Sequence, residues 1–203
     1  MENFSNKAEN LYKLKTQNIN NFEIPSFIYF NLKDWYSKKK LIIEQVTRTL
    51  SKNVCIRSSF YKEDNSNSSL AGKFESYIKV INNSKNIIYY VNKLILQYQK
   101  FENKKKASLN NNIIIQNFIT NSVCSGVITN YVIGDGSPYY TINYNNFSSS
   151  TSSVTSGDKH SFRVLYVYRN SAKRIRSSIF KKIIEAIKKI EKIYKKKSLD
   201  IEF

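Results

Sequence analysis

The segment around Arg57 carries side chains that could bind a phosphorylated ligand. Arg57 lies in a short apolar run that begins at Val54, and two serines, Ser58 and Ser59, follow it directly. A guanidinium offers a rigid fork of donors to phosphate oxygens, and small side chains let the backbone approach a ligand closely. The segment therefore indicates an anion site, with a solvated arginine beside a serine-rich loop as the alternative.

Asp200 and Glu202 form a second candidate site. The alternation of residues from Leu199 to Phe203 predicts the start of a strand, in which residues two apart share a face. Two carboxylates on one face repel each other, so a cation such as Mg²⁺ between them and phosphate oxygens is chemically reasonable. A solvated acidic C-terminus is the alternative.

Hydrophobic periodicity predicts the elements that must position these residues. Asn31 and Ser84 are predicted to cap the helices that follow them. Helices are predicted at residues 6–14, 32–51, 84–101 and 178–196. Strands are predicted at residues 25–30, 54–59, 74–80, 112–119, 124–132, 139–144, 162–168 and 199–203.

The order of these elements predicts an α+β fold with two lobes, each built from a mixed or antiparallel sheet with flanking helices. It does not fit a doubly wound Rossmann pattern. We expect residues 1–110 to form the first lobe and residues 111–203 to form the second lobe.

The chain is strongly basic, with a net charge of +18 from 33 Lys and Arg against 15 Asp and Glu. Such an excess favours polyanionic partners, including nucleotides, nucleic acids and anionic membranes. The alternative is compositional, because an A- and T-rich genome produces a chain rich in Asn, Lys, Ile, Tyr and Ser. Charge alone therefore leaves the partner open.

The composition is that of a globular chain, with 41% hydrophobic and 24% charged residues. No apolar run approaches the roughly 18 residues that a membrane span needs. The N-terminal residues lack the apolar core of a secretion signal, so we expect a cytoplasmic protein in which Cys55 and Cys124 are buried thiols. His160 is the only histidine, so no catalytic triad or zinc site can be assembled, and we interpret it as a surface residue.

The Arg57 segment resembles the ATP-binding domain of the phosphoenolpyruvate synthase and pyruvate phosphate dikinase family. The family pattern is close to V-x-V-R-S-S, then E-D, then S-x-A-G-x-x-E-S. The matching residues in this chain are Val54 to Ser59, Glu63 with Asp64, and Ser69 to Ser76. The resemblance implies an ATP-grasp fold.

Further segments follow the family's order along the chain. Lys7, in the run Asn6 to Leu11, is similar to the phosphate-binding lysine of the motif G-K-G-A-N-L. The run Ile113 to Ile119 is similar to the strand and hinge beside the adenine, and Ser125 to Thr129 is similar to the S-G-V segment. The run Asp200 to Phe203 is similar to the D-I-E-F/W motif, whose carboxylates face the metal and the phosphates.

The resemblance implies a role for each matching residue. Arg57 and Lys7 would hold the triphosphate during phosphoryl transfer, and Asp200 and Glu202 would bind Mg²⁺. The nucleotide would also contact Ser58, Ser59, Glu75, Gln116 and the backbone of Asn117, Phe118 and Ile119. A purely structural role is the alternative for Lys7, Glu75 and Gln116.

The chain also departs from the family pattern. Asn6 and Ala8 replace the glycines that flank the family's lysine, and Ser152 aligns with an acidic residue of the family. Residues 142–157 are more similar to one branch of this family, which includes L-glutamine kinase, than to the family's usual pattern. The family's next strand would begin after Phe203, so we expect the N-terminal part of a longer multidomain enzyme.

By this resemblance, the chain is the Mg-ATP-binding domain of a phosphotransferase. ATP would donate its β,γ-pyrophosphate to a histidine on another domain, leaving AMP, and a phosphoryl group would then pass to an acceptor such as pyruvate or the amide of glutamine. The histidine domain and the acceptor domain would lie in the same longer chain or act in trans. Two alternatives stay open: a degenerate, non-catalytic ATP-grasp fragment, and a basic nucleic-acid-binding module with basic and aromatic residues on one exposed face.

Overall fold

The computed structural model describes residues 6–17, 22–61, 72–146, 163–194 and 198–203. The helices are α1 (Lys7–Thr16), α2 (Leu32–Thr49), α3 (Ser84–Glu102) and α4 (Ser178–Tyr194), and a 3₁₀ helix spans Arg169–Arg174. The strands are β1 (Phe27–Asn31), β2 (Asn53–Ser59), β3 (Tyr77–Ile81), β4 (Asn112–Asn117), β5 (Cys124–Thr129), β6 (Tyr139–Asn146), β7 (Arg163–Tyr168) and β8 (Asp200–Glu202). Helices and strands are mixed along the chain, which confirms the predicted α+β class.

The chain divides into two compact units. Unit 1 comprises residues 1–18 and 24–119, and unit 2 comprises residues 19–23 and 120–203. The boundary expected at residue 110 differs from this division, because β4 is an internal strand of the unit 1 sheet and pairs with β1 and β2. The described strand pairs of both sheets are antiparallel, so the sheets are antiparallel rather than mixed.

The sheet of unit 1 has the strand order β1-β4-β2-β3. One face packs against α2 and α3, because the residues of β2 and β4 that alternate towards those helices are mostly aliphatic. This core includes Phe30 stacked on Trp35, with ring centroids 5.2 Å apart. On the other face, Ala8 of α1 packs with Phe27 and Ile114. The sheet is therefore covered by helices on both faces.

Asparagine side chains begin the two long helices of unit 1. Asn31 caps α2 as predicted, since its Oδ1 accepts a hydrogen bond from the Asp34 backbone N–H at 2.8 Å. The cap of α3 is Asn83, whose Oδ1 accepts from the Asn86 N–H at 2.8 Å, so the prediction of Ser84 as the cap is wrong. Asparagine and serine cap helices about equally well, and the sequence offered both side by side.

The strand predicted at residues 74–80 begins only at Tyr77. Phe74 is buried among aromatic residues, with its ring centroid 5.1 Å from that of Tyr98. The next residue, Glu75, donates its backbone N–H to the Gln97 side chain at 2.9 Å. The aromatic cluster and α3 therefore hold this segment outside the sheet ladder.

The sheet of unit 2 has the strand order β7-β6-β5-β8. One face packs on α4, where Ile184 and Ile187 meet Ile142 in a continuous apolar core. β5 and β6 pair as an antiparallel hairpin, and Gly136 donates its N–H to the Val132 carbonyl at 3.1 Å in the turn. The opposite face of this sheet carries many polar residues, which matter for the site below.

None of the described helices is both long and apolar enough to cross a membrane. The run Lys104 to Lys106 is exposed, and Lys195 to Lys197 lies outside the described residues. Cys55 and Cys124 are half-buried rather than buried thiols, because Cys55 lies on the α1 side of its sheet and Cys124 begins β5. Partial burial raises the pKa of Cys124.

Candidate functional site

Arg57 and Gln116 lie on the same face of the unit 1 sheet. In the antiparallel pairing of β2 with β4, Arg57 is opposite Ile114 and Cys55 is opposite Gln116. Paired residues point to the same side of a sheet, so Arg57 and Gln116 are diagonal neighbours. Both side chains are half-buried. This face is the one that α1 covers, which brings the third predicted residue, Lys7, into the same region.

The N-terminus of α1 is bound to the end of β2. The Ala8 N–H donates to the Ser59 hydroxyl at 3.0 Å, across 51 residues of sequence. The Ser59 hydroxyl in turn donates to Asn6 Oδ1 at 3.0 Å. Lys7 lies between Asn6 and Ala8, so these bonds fix its backbone next to the strand that carries Arg57. Ser59 is fully buried and is used in this connection.

Tyr98 holds the same end of β2 from the other side of the sheet. Its hydroxyl accepts a hydrogen bond from the Ser59 N–H at 3.0 Å and donates to the Asn112 carbonyl at 2.7 Å. Sequence reasoning missed this role of Tyr98. The signal was a phenol at a core position, because a buried tyrosine hydroxyl needs a polar partner.

Three amides in the first turn of α1, those of Ala8, Glu9 and Asn10, donate to protein groups. Besides the bond from Ala8, the Glu9 N–H donates to Asn6 Oδ1 at 3.1 Å, and the Asn10 N–H donates to the Asn6 carbonyl at 3.0 Å. Asn6 and Ala8 are both buried. These two residues, which stand where the motif G-K-G-A-N-L has glycines, therefore make a closed helix start rather than an open glycine loop. Phosphate binding here would depend on the side chains of Lys7 and Arg57.

Two of the predicted nucleotide contacts lie on the opposite side of the sheet. Ser58 is buried and alternates towards the core formed with α2 and α3. Glu75 is exposed, and its Oε2 accepts hydrogen bonds from the Tyr77 hydroxyl at 2.7 Å and from Gln97 Nε2 at 3.1 Å. The structure therefore groups Ser58 and Glu75 with α3 and not with Arg57.

The predicted adenine segment follows β4. The Asn117 N–H donates to the Ser26 carbonyl at 2.9 Å, and the Phe118 N–H donates to the Asn53 carbonyl at 3.0 Å. The Asn117 side chain accepts from the Ser51 N–H at 2.8 Å. The N–H groups of Asn117 and Phe118 already serve unit 1, so adenine recognition through this segment would depend on its other backbone groups and on the exposed Ile119.

A polar surface cavity of about 430 Å³ lies in unit 1. None of its described lining residues is a lysine or an arginine, so it lacks the positive charge that a triphosphate needs. We therefore place the candidate phosphate site at Arg57 and Lys7 and not in this cavity. The lining residues are Asn6, Glu9, Tyr29, Asn31, Tyr61, Asn110 and Asn112.

Asp200 and Glu202 lie on one exposed face of β8, as predicted. Asp200 is paired with Thr129 of β5, and Thr129 is paired with Thr141 of β6, so the three side chains form one row across the sheet. Ile201 points to the other face and joins the core with α4. The carboxylates thus belong to the polar face of the unit 2 sheet.

Two buried hydroxyls on this polar face are unsatisfied. Ser125 and Thr141 are 2% and 9% exposed, and their hydroxyl oxygens have no hydrogen-bond partner among the described residues. A buried polar group without a partner is costly, so such atoms are candidates for contact with a ligand, an ion or water. The face therefore offers oxygen donors in addition to the two carboxylates.

The donor set of this face fits Mg²⁺. Carboxylate and hydroxyl oxygens are hard donors, and magnesium is usually held by one or two carboxylates together with phosphates and water. No group of three or more His, Cys, Asp or Glu side chains that could hold a metal occurs among the described residues. Asp200 and Glu202 are therefore suited to an ion that a phosphorylated ligand also binds, and not to a complete protein cage.

Gly126, in the S-G-V segment, occupies a position with no room for a side chain. A Cβ atom at this residue would collide with the Asn143 carbonyl oxygen and with the ring of Phe203. Gly126 and Phe203 also exchange two backbone hydrogen bonds of 3.0 and 2.9 Å. Glycine here lets the chain beyond β8 lie flat against β5, which fixes the C-terminal side of the carboxylate strand.

Asn130 fixes the N-terminal side of β8. Its Oδ1 accepts from the Leu199 N–H at 2.7 Å, and its own N–H donates to the Leu199 carbonyl at 3.3 Å. Its Nδ2 donates to Glu191 Oε1 at 2.9 Å. Sequence reasoning missed this contact, although Glu191 interrupts the apolar stripe of α4 four residues after Ile187.

Glu191 is held in turn by Arg169. The guanidinium donates from Nη1 to Glu191 Oε1 at 2.6 Å and from Nη2 to Oε2 at 3.2 Å, and the ring of Tyr140 lies 4.6 Å from the Arg169 guanidinium carbon. Burial opposes ionisation of Glu191, but the hydrogen bonds from Arg169 and Asn130 outweigh it and lower the pKa of the carboxyl group. Burial, followed by the Glu191 charge, raises the pKa of Tyr140 to about 12.

Several predicted positions lie outside the described residues. These are Glu63, Asp64, Ser69, Leu70 and Ala71 of the Arg57 segment, Ser152, and His160.

No protein-family model matches the chain, and no curated protein matches its sequence.

Proposed function

We propose that this chain is the Mg-ATP-binding part of a cytoplasmic phosphotransferase of the phosphoenolpyruvate synthase and pyruvate phosphate dikinase family, with an ATP-grasp fold. The observation that carries the proposal is that the start of α1, Arg57 and Gln116 meet at one face of the unit 1 sheet. These residues come from three distant parts of the sequence. Each was expected at a nucleotide site from its own motif, so their meeting supports a shared ligand.

In this proposal Arg57 and Lys7 neutralise the triphosphate. Both side chains are half-buried, and partial exclusion of water strengthens their attraction to phosphate oxygens. Arg57 can donate two parallel hydrogen bonds to one phosphate, whereas Lys7 acts as a point charge. Phosphoryl transfer depends mainly on positioning of the phosphates and on stabilisation of their charge. These two cations would provide both for unit 1.

Asp200 and Glu202 would hold Mg²⁺ on the polar face of unit 2. The ion would supply further neutralisation of the charge that develops on the phosphates. ATP would pass its β,γ-pyrophosphate to a histidine on another domain and leave as AMP. After release of the outer phosphate, the phosphoryl group left on the histidine would go to pyruvate or to the amide of glutamine. Those domains would be supplied by the same longer chain or in trans.

An ATP titration by isothermal calorimetry, with and without Mg²⁺, tests the proposal. Removal of a charge-assisted bidentate contact in Arg57→Ala is expected to weaken ATP binding about ten- to a hundred-fold. The same substitution should weaken the binding of AMP much less, because AMP lacks the β- and γ-phosphates. Arg48→Ala removes an exposed arginine of α2 and serves as the matched control. Equal ATP affinity of wild type and Arg57→Ala would refute the phosphate site.

A nucleic-acid-binding function is the second candidate, because three tyrosines share an exposed face of the unit 2 sheet. Tyr139, Tyr166 and Tyr168 are 38%, 59% and 42% exposed, and the rings of Tyr139 and Tyr168 lie 5.4 Å apart. Single-stranded RNA binding that is weakened by salt and by Tyr166→Ala, and that ATP does not displace, would favour this function.

A further inference from the structure

β8 is short and depends on contacts at its two ends. It has three residues, and two of them are the carboxylates Asp200 and Glu202. Gly126 pairs with Phe203 on one side, and Asn130 binds Leu199 on the other. A strand of this length has few ladder bonds of its own, so the end contacts decide where its side chains lie. Asn130 is 1% exposed and makes its contact through a side chain, which a substitution can remove.

The carboxylate of Glu191 fixes which way the Asn130 amide faces. A carboxylate only accepts hydrogen bonds, so the Nδ2 group of Asn130 must face Glu191 and Oδ1 must face the Leu199 N–H. If the amide were reversed, Oδ1 would face the carboxylate and Nδ2 would face an N–H donor, and both contacts would be repulsive. The charge on Glu191 thus determines the acceptor that holds Leu199, one residue before Asp200.

Arg169 completes a closed hydrogen-bonded ring with these two residues. It binds both oxygens of Glu191 and also donates from Nη1 to the Asn130 carbonyl at 2.9 Å. The side chains of Arg169 and Glu191 are 24% and 15% exposed. A largely buried ion pair is weak as a source of stability, because desolvation offsets most of its attraction. Its advantage is orientation, which a metal ligand strand requires.

We propose that Asn130, oriented by Glu191 and Arg169, is a positioning residue that sets the geometry of the Asp200 and Glu202 carboxylates and thereby the divalent-cation affinity of this face. The inference rests on the proposed function, since it assumes that the two carboxylates bind a cation together with ATP. Asn130 acts through Leu199 and does not itself coordinate the ion.

The test measures Mn²⁺ binding by electron paramagnetic resonance, in the presence of saturating ATP, and ATP affinity without metal by calorimetry. Loss of a group that hydrogen-bonds a metal ligand typically costs 10- to 100-fold in affinity. Asn130 acts one residue further away, through Leu199, so Asn130→Ala should weaken Mn²⁺ binding by about ten-fold, the lower end of that range. Metal-free ATP affinity, which depends on Arg57 and Lys7, should stay within about two-fold of wild type. Asn170→Ala, an exposed asparagine in the same unit, is the matched control.

A double variant separates positioning from general stabilisation. Glu191→Gln should weaken Mn²⁺ binding several-fold, and in the Asn130→Ala background it should have little further effect, because Glu191 acts through Asn130. Additive losses, or equal losses of Mn²⁺ and metal-free ATP affinity, would overturn the inference. If Asn130→Ala does not fold, unchanged Mn²⁺ affinity in Glu191→Gln overturns it by itself.

The same measurements distinguish failure of the inference from failure of the proposed function. Wild type that binds no ATP in any condition would overturn both. Wild type that binds ATP, loses its Mn²⁺ in Asp200→Asn and keeps it in Asn130→Ala would overturn only the positioning role of Asn130.

Discussion

Removal of the Tyr98 hydroxyl should destabilise unit 1 without creating a cavity. This oxygen joins two buried backbone groups, the N–H of Ser59 and the carbonyl of Asn112, at 3.0 and 2.7 Å. In Tyr98→Phe the ring keeps its packing against Phe60 and Phe74, whose centroids lie 5.6 and 5.1 Å away. The change therefore isolates the hydrogen bonds from the aromatic contacts.

The expected loss follows from the two groups that are left without a partner. A buried polar group that loses its hydrogen bond costs about 1–3 kcal/mol, so two such groups with partial relaxation amount to about 3 kcal/mol. With a urea m value of about 2 kcal/mol/M, this loss lowers the unfolding midpoint by about 1.5 M. The effect is large, because whole domains are stable by only about 5–15 kcal/mol.

Trp35 provides a fluorescence signal that belongs to unit 1. It is the only tryptophan of the chain and is 1% exposed in the core of unit 1. Urea unfolding followed at this residue should show the lower midpoint for Tyr98→Phe. The control is Tyr89→Phe on the same helix, where the side chain is 53% exposed and a change below about 0.5 kcal/mol is expected. If the two variants unfold at the same urea concentration, the bridging role of the Tyr98 hydroxyl is refuted.

Two further predictions concern unit 2. Because the folded-state pKa of Glu191 is lowered, its contribution to stability is present above the usual carboxyl pKa of 4.5 and is lost as the pH falls through the lower folded value. Glu191→Gln should therefore flatten the fall in stability below about pH 4.5 measured by circular dichroism, and an unchanged pH profile would contradict the Arg169 pairing. Gly126→Ala should destabilise unit 2 by about 1–3 kcal/mol, because the added methyl group would overpack against the Asn143 carbonyl and Phe203. If thermal unfolding shows the same stability for this variant as for wild type, the close packing at Gly126 does not constrain the fold.

Much of the secondary structure is predictable because its signals are local. The spacing of Ile184 and Ile187 with their apolar neighbours marks the buried face of α4, and Asn31 is a capping residue just before an apolar helix. The predictions failed where two local signals competed. Asn83 and Ser84 are both good caps, and the apolar Phe74 reads as a strand residue although its ring belongs to an aromatic cluster.

The candidate site is predictable only in part. Residue type and spacing predict Arg57 and the pair of carboxylates on β8 as site residues, and alternation correctly placed Asp200 and Glu202 on one face. The assignment of β4 to unit 2 failed, since the position of a strand within a sheet depends on its partners. Ser58 and Ser59 are adjacent in sequence but lie on opposite faces, so one motif was divided between two environments.

The sequence by itself determined the α+β class, most helices and strands, and the side chains with the charge to bind phosphate and a cation. These features follow from residue types and from the spacing of apolar and polar residues over a few positions, which can be seen in the sequence. Only the tertiary structure decided that Ser59 binds the start of α1, that Tyr98 holds the end of β2, and that Asn130 fixes Leu199 across 69 residues. The physical reason is that such contacts depend on which distant backbone groups meet in the folded sheets. A local sequence pattern carries no information about which groups those are.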